Sequence, residues 1–351
     1  MTAGAKVVIA DYDFGDVDVE RKILEAAGLR LVAIQAKSED ELIPEARDCD
    51  AVINQYAHVG AKTIAAMSRC RVIARYGIGV DIVDVDAATK RGILVTNVRD
   101  YCTEEVADHA IAMMLAFARK LARYDRATHA GKWHWKSGRP VYRLRGRILG
   151  IVALGRIARA IAVRARGFGL RVTAYDPYVD DSVFEQHGVT RVDKIQLVEQ
   201  SDYVIVQCPL TEATRHFFGE AELRRMKPHA ILINTGRGPE VDNAALYRAL
   251  KEGWIAAAGL DDLEEQPAKR RHWSPQDNPL FTLDNVIVTP HCAYYSEESI
   301  QMAREVAASE VARVLTGQKP HNPVNNVRLA DGSWSLPEGD PASESLQERT
   351  V

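Results

Sequence analysis

Cysteine and net charge are both scarce in this sequence of 351 residues, and each shortage excludes something. The five cysteines, Cys49, Cys70, Cys102, Cys208 and Cys292, include no CxxC pair. Neither a disulfide framework nor a structural zinc site is expected, and no metal is read from the residues. Forty-five Lys+Arg against 48 Asp+Glu leave a formal net charge of −3. That balance suits neither a nucleic-acid polycation nor a basic membrane-surface protein. No stretch approaches about 18 uninterrupted apolar residues, so a spanning helix is not expected. The opening MTAGAKVVIADYD runs straight into a strand-like segment without the long apolar core of a signal peptide. A reduced cytoplasmic protein is the expectation, with no membrane partner and no direct nucleic-acid binding.

What is present is a rhythm. Short β-branched runs, VVIA (7–10), LVAI (31–34), AVIN (51–54), VIA (72–74) and ILVT (93–96), alternate with helical stretches such as VERKILEAAG and AKTIAAMSRC. Strand–helix alternation at this spacing predicts a parallel sheet covered on both faces. The amphipathic stretch 103–131 then predicts one long helix, opened by Thr103 and two glutamates and stopped by Gly131. A second series follows: ILGIVAL (148–154), RVTAYD (171–176), YVIVQ (203–207), AILINT (230–235), AAAGLD (256–261) and VIVTPH (286–291). Six strands suffice for a complete dinucleotide-binding sheet. Residues 296–317 predict a further helix, and the polar tail from Arg328 reads as disordered or ordered only by a partner.

Between the first two strands of the second series lies Ala153-Leu154-Gly155-Arg156-Ile157-Ala158, a variant of the GxGxxG/A fingerprint. Gly155 is retained where backbone must approach a pyrophosphate. Ala153 replaces the turn glycine, and alanine is strained wherever φ must be positive. Asp176, ending the next strand, suits the two ribose hydroxyls and would repel a 2′-phosphate, so NAD is expected over NADP.

Four longer segments carry a family resemblance. MKPHAILINTGRGPEVDNAALYRALKEGWIAAAGLDDLEEQP and VIVTPHCAYYSEES resemble the D-isomer-specific 2-hydroxyacid dehydrogenases, as do VIARYGIGVDIVDVDAATKRGILVTN and EEVADHAIAMML upstream. The resemblance spans roughly residues 5 to 327. YDPY and HCAYYSEES are most similar to the C-terminal-binding-protein branch, whose animal members are NAD-dependent transcriptional corepressors. The resemblance implies an α/β fold of two doubly wound, parallel-sheet domains with a cleft between them. One is a flavodoxin-like substrate domain (1–100 and 293–327); the other is a Rossmann NAD domain (101–292), followed by the tail 328–351. It also implies a homodimer through the NAD domain and a small 2-hydroxy or 2-oxo acid as substrate.

Residue by residue, the resemblance makes Arg237 the cation that grips the substrate carboxylate and His291 the general acid/base. Gly155, Arg156, Ile157, Asp176, Cys208, Pro209, Thr214, Thr235, Gly236, Asp261 and Ala293 would surround the cofactor, with Asp261 at the nicotinamide carboxamide. The turn Arg75, Tyr76, Gly77, Ile78, Gly79 would offer backbone N–H groups to the carboxylate. Asn54, Gln55, Tyr56, His58, Cys102 and Tyr294 would shape the pocket. These residue types suit the chemistry, which needs one cation to orient an α-oxo acid and one proton donor working near neutral pH.

The acidic run GLDDLEEQP (259–267) contains the family's partner position for the histidine, normally a glutamate, and here that position is Gln266. An amide can orient an imidazole but cannot stabilise its charge. Asp262, Glu264 and Glu265 are expected to be solvated loop charges, with Glu265 substituting only after a one-residue shift. Glutamine at this place is also what the related formate dehydrogenases carry, where no proton passes to a substrate oxygen. Three readings stay open: an NAD-dependent 2-hydroxyacid dehydrogenase, a corepressor-like NAD-binding regulator with little turnover, and a dehydrogenase of an acid needing no general acid.

Overall fold

The β-branched runs form short parallel strands whose residues are mostly buried, as helix-covered sheets require. The computed structural model describes residues 4–267 and 272–327; the tail from Arg328 lies outside the described residues. Two compact units result, one from the chain up to Tyr101 together with the chain from Ser296 on, the other from Cys102–Tyr295.

The first unit holds β1 (Lys6–Ile9), α1 (Asp18–Ala26), β2 (Arg30–Ala33), α2 (Glu39–Ala46), β3 (Ala51–Asn54), α3 (Ala61–Ala66), β4 (Val72–Arg75), α4 (Val85–Lys90) and β5 (Leu94–Thr96). The strands pair in the order β2-β1-β3-β4-β5, all parallel. The late helix Glu297–Leu315, capped by Ser296, packs onto α1 and β4. At the point where strand order reverses, the buried Asp11 carboxylate accepts the N–H groups of Gln55 (2.9 Å) and Tyr56 (2.6 Å), tying the ends of β1 and β3 together.

The second unit holds α5 (Thr103–Ala118), α6 (Leu121–His129), β6 (Ile148–Val152), α7 (Arg156–Gly167), β7 (Arg171–Tyr175), α8 (Asp181–Gln186), β8 (Thr190–Arg191), α9 (Lys194–Gln200), β9 (Tyr203–Val206), α10 (Glu220–Arg225), β10 (Ile231–Asn234), α11 (Asn243–Glu252), β11 (Ala257–Leu260) and β12 (Val286–Val288). Its parallel sheet runs β12-β11-β10-β9-β6-β7-β8, one short strand more than expected. Neighbouring strand residues face opposite ways. Ile151, Ile205 and Ile233 join Met113, Met114 and Phe117 of α5, whereas Val152, Val204 and Leu232 join Phe218, Leu223 and Leu246. Each such buried side chain contributes about 1.5–3 kcal/mol.

The single helix expected over 103–131 is two. Lys120 takes a left-handed conformation (φ 57°) that ends α5, and α6 starts afresh with no buried residue. The apolar period runs across the break with neither Gly nor Pro to mark it. Among the described residues, no helix is long and apolar enough to cross a membrane.

Candidate active site

In a doubly wound sheet, ligands meet the C-terminal strand ends where strand order reverses. Here that point lies between β6 and β9. Leaving β6, Ala153 has φ 72°, the strained conformation expected of it, and donates its N–H to the Tyr175 carbonyl at 2.8 Å. Gly155 follows in extended conformation as the N-cap of α7, and a Cβ built on it meets nothing within 4 Å. Arg156 and Ile157 form the first turn of that helix. Asp176, just past β7, is buried; its Oδ2 accepts the Leu154 N–H (2.8 Å) and its Oδ1 the Tyr178 N–H (2.9 Å). Open space before a helix N-terminus, with a carboxylate across the turn, fits a pyrophosphate and an adjoining ribose.

Past β9, the Gln207 Oε1 accepts the Thr235 hydroxyl (2.7 Å), and Cys208 is buried. The Thr214 hydroxyl donates to the Pro209 carbonyl (2.7 Å) and thereby closes the 209–214 turn. Past β10, Asn234 braces the NTGRG turn from both sides, accepting the Gly236 N–H (2.9 Å) and donating to the Arg237 carbonyl (2.8 Å). Both flanking glycines are closely packed, Gly236 against a side chain and Gly238 against backbone. A Cβ at Gly236 would come within 2.4 Å of Glu240 Oε2, and one at Gly238 within 1.9 Å of the Leu263 carbonyl oxygen. The Arg237 turn is thus pressed against the segment after β11.

Beneath it lies Glu240, wholly buried, to which the sequence analysis gave no role. Its Oε2 accepts the Arg237 N–H (2.9 Å) and its Oε1 lies 3.5 Å from Cys208 Sγ. Burial pushes the Glu240 carboxyl up to about 8 against the pull of the Arg237 N–H and guanidinium. Burial also raises the Cys208 thiol, and Glu240 adds to the effect.

Past β11 and β12, Asp261 fastens the turn that carries the histidine. Its Oδ1 accepts the Thr289 hydroxyl (2.6 Å) and the Cys292 N–H (2.9 Å), and its Oδ2 the Ala293 N–H (2.9 Å). His109 of α5 reaches the same Thr289 hydroxyl at 3.1 Å. His109, Asp261 and Cys292 are grouped closely enough to surround a metal ion, with ligand atoms within 4.8 Å of one another, but Thr289 bridges the first two and hydrogen bonding accounts for the grouping. His291 has φ 55°, and its N–H donates to the carbonyls of Asp261 (2.6 Å) and Thr289 (3.0 Å). Tyr294 presents its ring to the imidazole edge-on, centroids 6.1 Å apart.

The acidic run differs from expectation. Asp262 is buried, and its Oδ2 stands 3.5 Å from His291 Nδ1. Glu264 accepts from Asn243 N–H (3.0 Å) and pairs with His216 (2.6 Å), while Glu265 is held by Asn243, Trp273 and Asn278. These acids are fixed parts of the turn instead of solvated charges. Gln266 is half-buried with φ 49°, its N–H on the Leu263 carbonyl (2.8 Å).

Arg75, Tyr76, Gly77 and Ile78 belong to the first unit, at the end of β4. Gly77 has φ 140° and packs so close to the Arg75 guanidinium that a Cβ has no room. The Arg75 guanidinium donates to the Tyr76 carbonyl, and the buried Tyr76 hydroxyl donates to Glu20 (2.9 Å).

Comparison with known proteins agrees with this architecture. The family model of the D-isomer specific 2-hydroxyacid dehydrogenase NAD binding domain matches residues 111–293. A glyoxylate reductase of Korarchaeum cryptofilum is 43% identical over 82% of this chain and 86% of its own. A D-3-phosphoglycerate dehydrogenase of Methanocaldococcus jannaschii is 40% identical over 87% of this chain, which spans 57% of that longer protein. Among solved structures, D-lactate dehydrogenase of Aquifex aeolicus, complexed with NAD and lactic acid, superposes with a TM-score of 0.82 at 27% identity, covering 91% of this chain and 98% of that one. The chain therefore belongs to the D-isomer-specific 2-hydroxyacid dehydrogenases and is an NAD-dependent oxidoreductase of that family.

Proposed function

We propose that this enzyme reduces small 2-oxo acids with NADH and, in reverse, oxidises the corresponding D-2-hydroxy acids. One observation carries the reading: the segment 261–264 has the Arg237 turn packed on it at Leu263 and His291 set against it at Asp262. The turns that carry the cation and the imidazole thus both pack on the segment that follows β11. The Arg237 fork matches a carboxylate oxygen pair and draws electron density from the neighbouring 2-oxo group. Hydride chemistry at C2 is what the nicotinamide supplies when bound. His291, with Nδ1 turned to Asp262, uses Nε2 to give its proton to the carbonyl oxygen, and takes one back in the oxidative direction.

A buried carboxylate beside His291 supports a reaction that moves a proton, in preference to one like formate oxidation that needs none. The Korarchaeum relative's name puts glyoxylate first among candidate substrates. Asp176 favours NAD(H), because a 2′-phosphate would bring like charge to a buried carboxylate. We also assign a homodimer through the second unit: α6 buries nothing, and Leu121, Trp133 (90% exposed) and Trp135 (65%) lie uncovered along α6 and the segment after it. Light scattering would read the dimer, and NADH oxidation with a panel of 2-oxo acids tests the activity.

A further inference from the structure

Gln266 occupies the place where the family carries its histidine's carboxylate partner, and an amide brings no charge. A carboxylate nonetheless stands beside His291, supplied by Asp262. The two side chains are 17% and 6% exposed, and Asp262 Oδ2 lies 3.5 Å from His291 Nδ1. Asp262 Oδ1 accepts the Leu263 N–H at 2.9 Å, whereas Oδ2 is closed off from solvent and accepts no hydrogen bond. Leaving a buried acceptor unsatisfied is unfavourable, the more so when it is charged. Closing the gap by about half an ångström would give an ordinary charge-assisted bond.

We infer that Asp262 is the positioning residue for His291, doing from position 262 what a glutamate at 266 does elsewhere in the family. The inference rests on the proposed oxidoreductase reading of the site. It also assigns the tautomer: Nδ1 faces Asp262, which leaves Nε2 for the substrate oxygen.

The neighbouring acids of these turns have other partners. Asp261 is taken up by Thr289, Cys292 and Ala293, with His109 at 3.8 Å behind it. Glu264 is turned to His216 and Asn243, and Glu265 to Asn243, Trp273 and Asn278. From the turn after β10, Glu240 faces Arg237 N–H and Cys208, and burial keeps its proton on to about pH 8. At neutrality it adds no negative charge to compete with that of Asp262.

Asp262→Asn keeps the shape and the acceptor for Leu263 N–H while removing the charge. The direct readout is a 1H–15N NMR titration of the His291 imidazole without substrate, assigned with His291→Asn. The expected result is a midpoint about one pH unit lower in Asp262→Asn than in wild type, the effect of losing one close opposite charge. Adding Gln266→Glu to that variant should recover most of the shift. The basic limb of reductive kcat/KM should move the same way, with NADH affinity unchanged. An unmoved His291 midpoint in a folded, NADH-binding Asp262→Asn protein overturns the inference. A midpoint that falls in an enzyme reducing no 2-oxo acid upholds the contact and rejects the proposed function instead. Should Asp262→Asn fail to fold, Gln266→Glu alone decides. A midpoint rise under about half a unit agrees with a charge already in place, and a rise of about one unit or more contradicts it.

Discussion

Cys208 and Glu240 meet at 3.5 Å under the Arg237 turn, in a pocket that shuts Glu240 off from water entirely. Burial lifts that carboxyl from its usual 4.5 to about 8. Above its ordinary range the unfolded chain has released this proton while the folded chain still holds it. Stability is therefore lost as pH climbs from about 4.5 towards about 8 and levels off beyond. Glu240→Gln should match wild type near pH 4.5 and exceed it by a few kcal/mol near pH 9. Urea denaturation at both pH values checks this; a difference that does not change with pH would contradict it.

The turn at Ala153 offers a second check. A left-handed alanine costs roughly 1–2 kcal/mol, and glycine gives part of that back in chain entropy. Ala153→Gly should raise the urea midpoint slightly and leave NADH binding equal or tighter. A lower midpoint would mean the turn accommodates alanine without strain.

Asp176 accepts two backbone N–H groups, and the proposed reading puts the cofactor ribose beside it. Asp176→Ala should narrow the preference for NADH over NADPH by about tenfold or more and weaken NADH as well, since the turn at Leu154 loses its anchor. Calorimetric titration with both cofactors reads the ratio. An unchanged ratio would remove Asp176 from the ribose site.

In the first unit, Arg304 donates to both oxygens of Glu20 (2.9 and 2.8 Å) and to Asp16 (2.7 Å), and Glu20 also accepts from Tyr76 of the 75–79 turn. Arg304→Met strands a buried carboxylate and should cost about 3–5 kcal/mol, whereas Arg304→Met with Glu20→Leu should recover a large part. Chemical denaturation of the single and double variants tests this. Equal losses in the two would show that packing, and not the stranded charge, sets the cost.

Much of this architecture is legible in the sequence because β-branched runs and glycine stops are local signals. The strand runs 7–10, 51–54 and 148–154 fall on observed strands within a residue or two. The break at Lys120 was hidden because nothing in KLARYD forbids helix; it is made by one backbone conformation. NTGRG and TPH marked Arg237 and His291 as candidates through the family resemblance those segments carry, and both residues follow strands of the second sheet. Asp262 and Glu240 could not be read that way. Their burial follows from the turn after β10 packing on the turn after β11, a contact between segments that composition alone describes as an acidic loop.

The most direct test of the account is the initial rate of NADH oxidation with glyoxylate and other 2-oxo acids, in wild type and Arg237→Ala, beside the NADH affinity of each. The account predicts turnover of at least one 2-oxo acid by wild type. It also predicts a loss of roughly a thousandfold in kcat/KM for Arg237→Ala, with NADH affinity within a few-fold. Absence of turnover on every 2-oxo acid, or wild-type kinetics in Arg237→Ala, would contradict it.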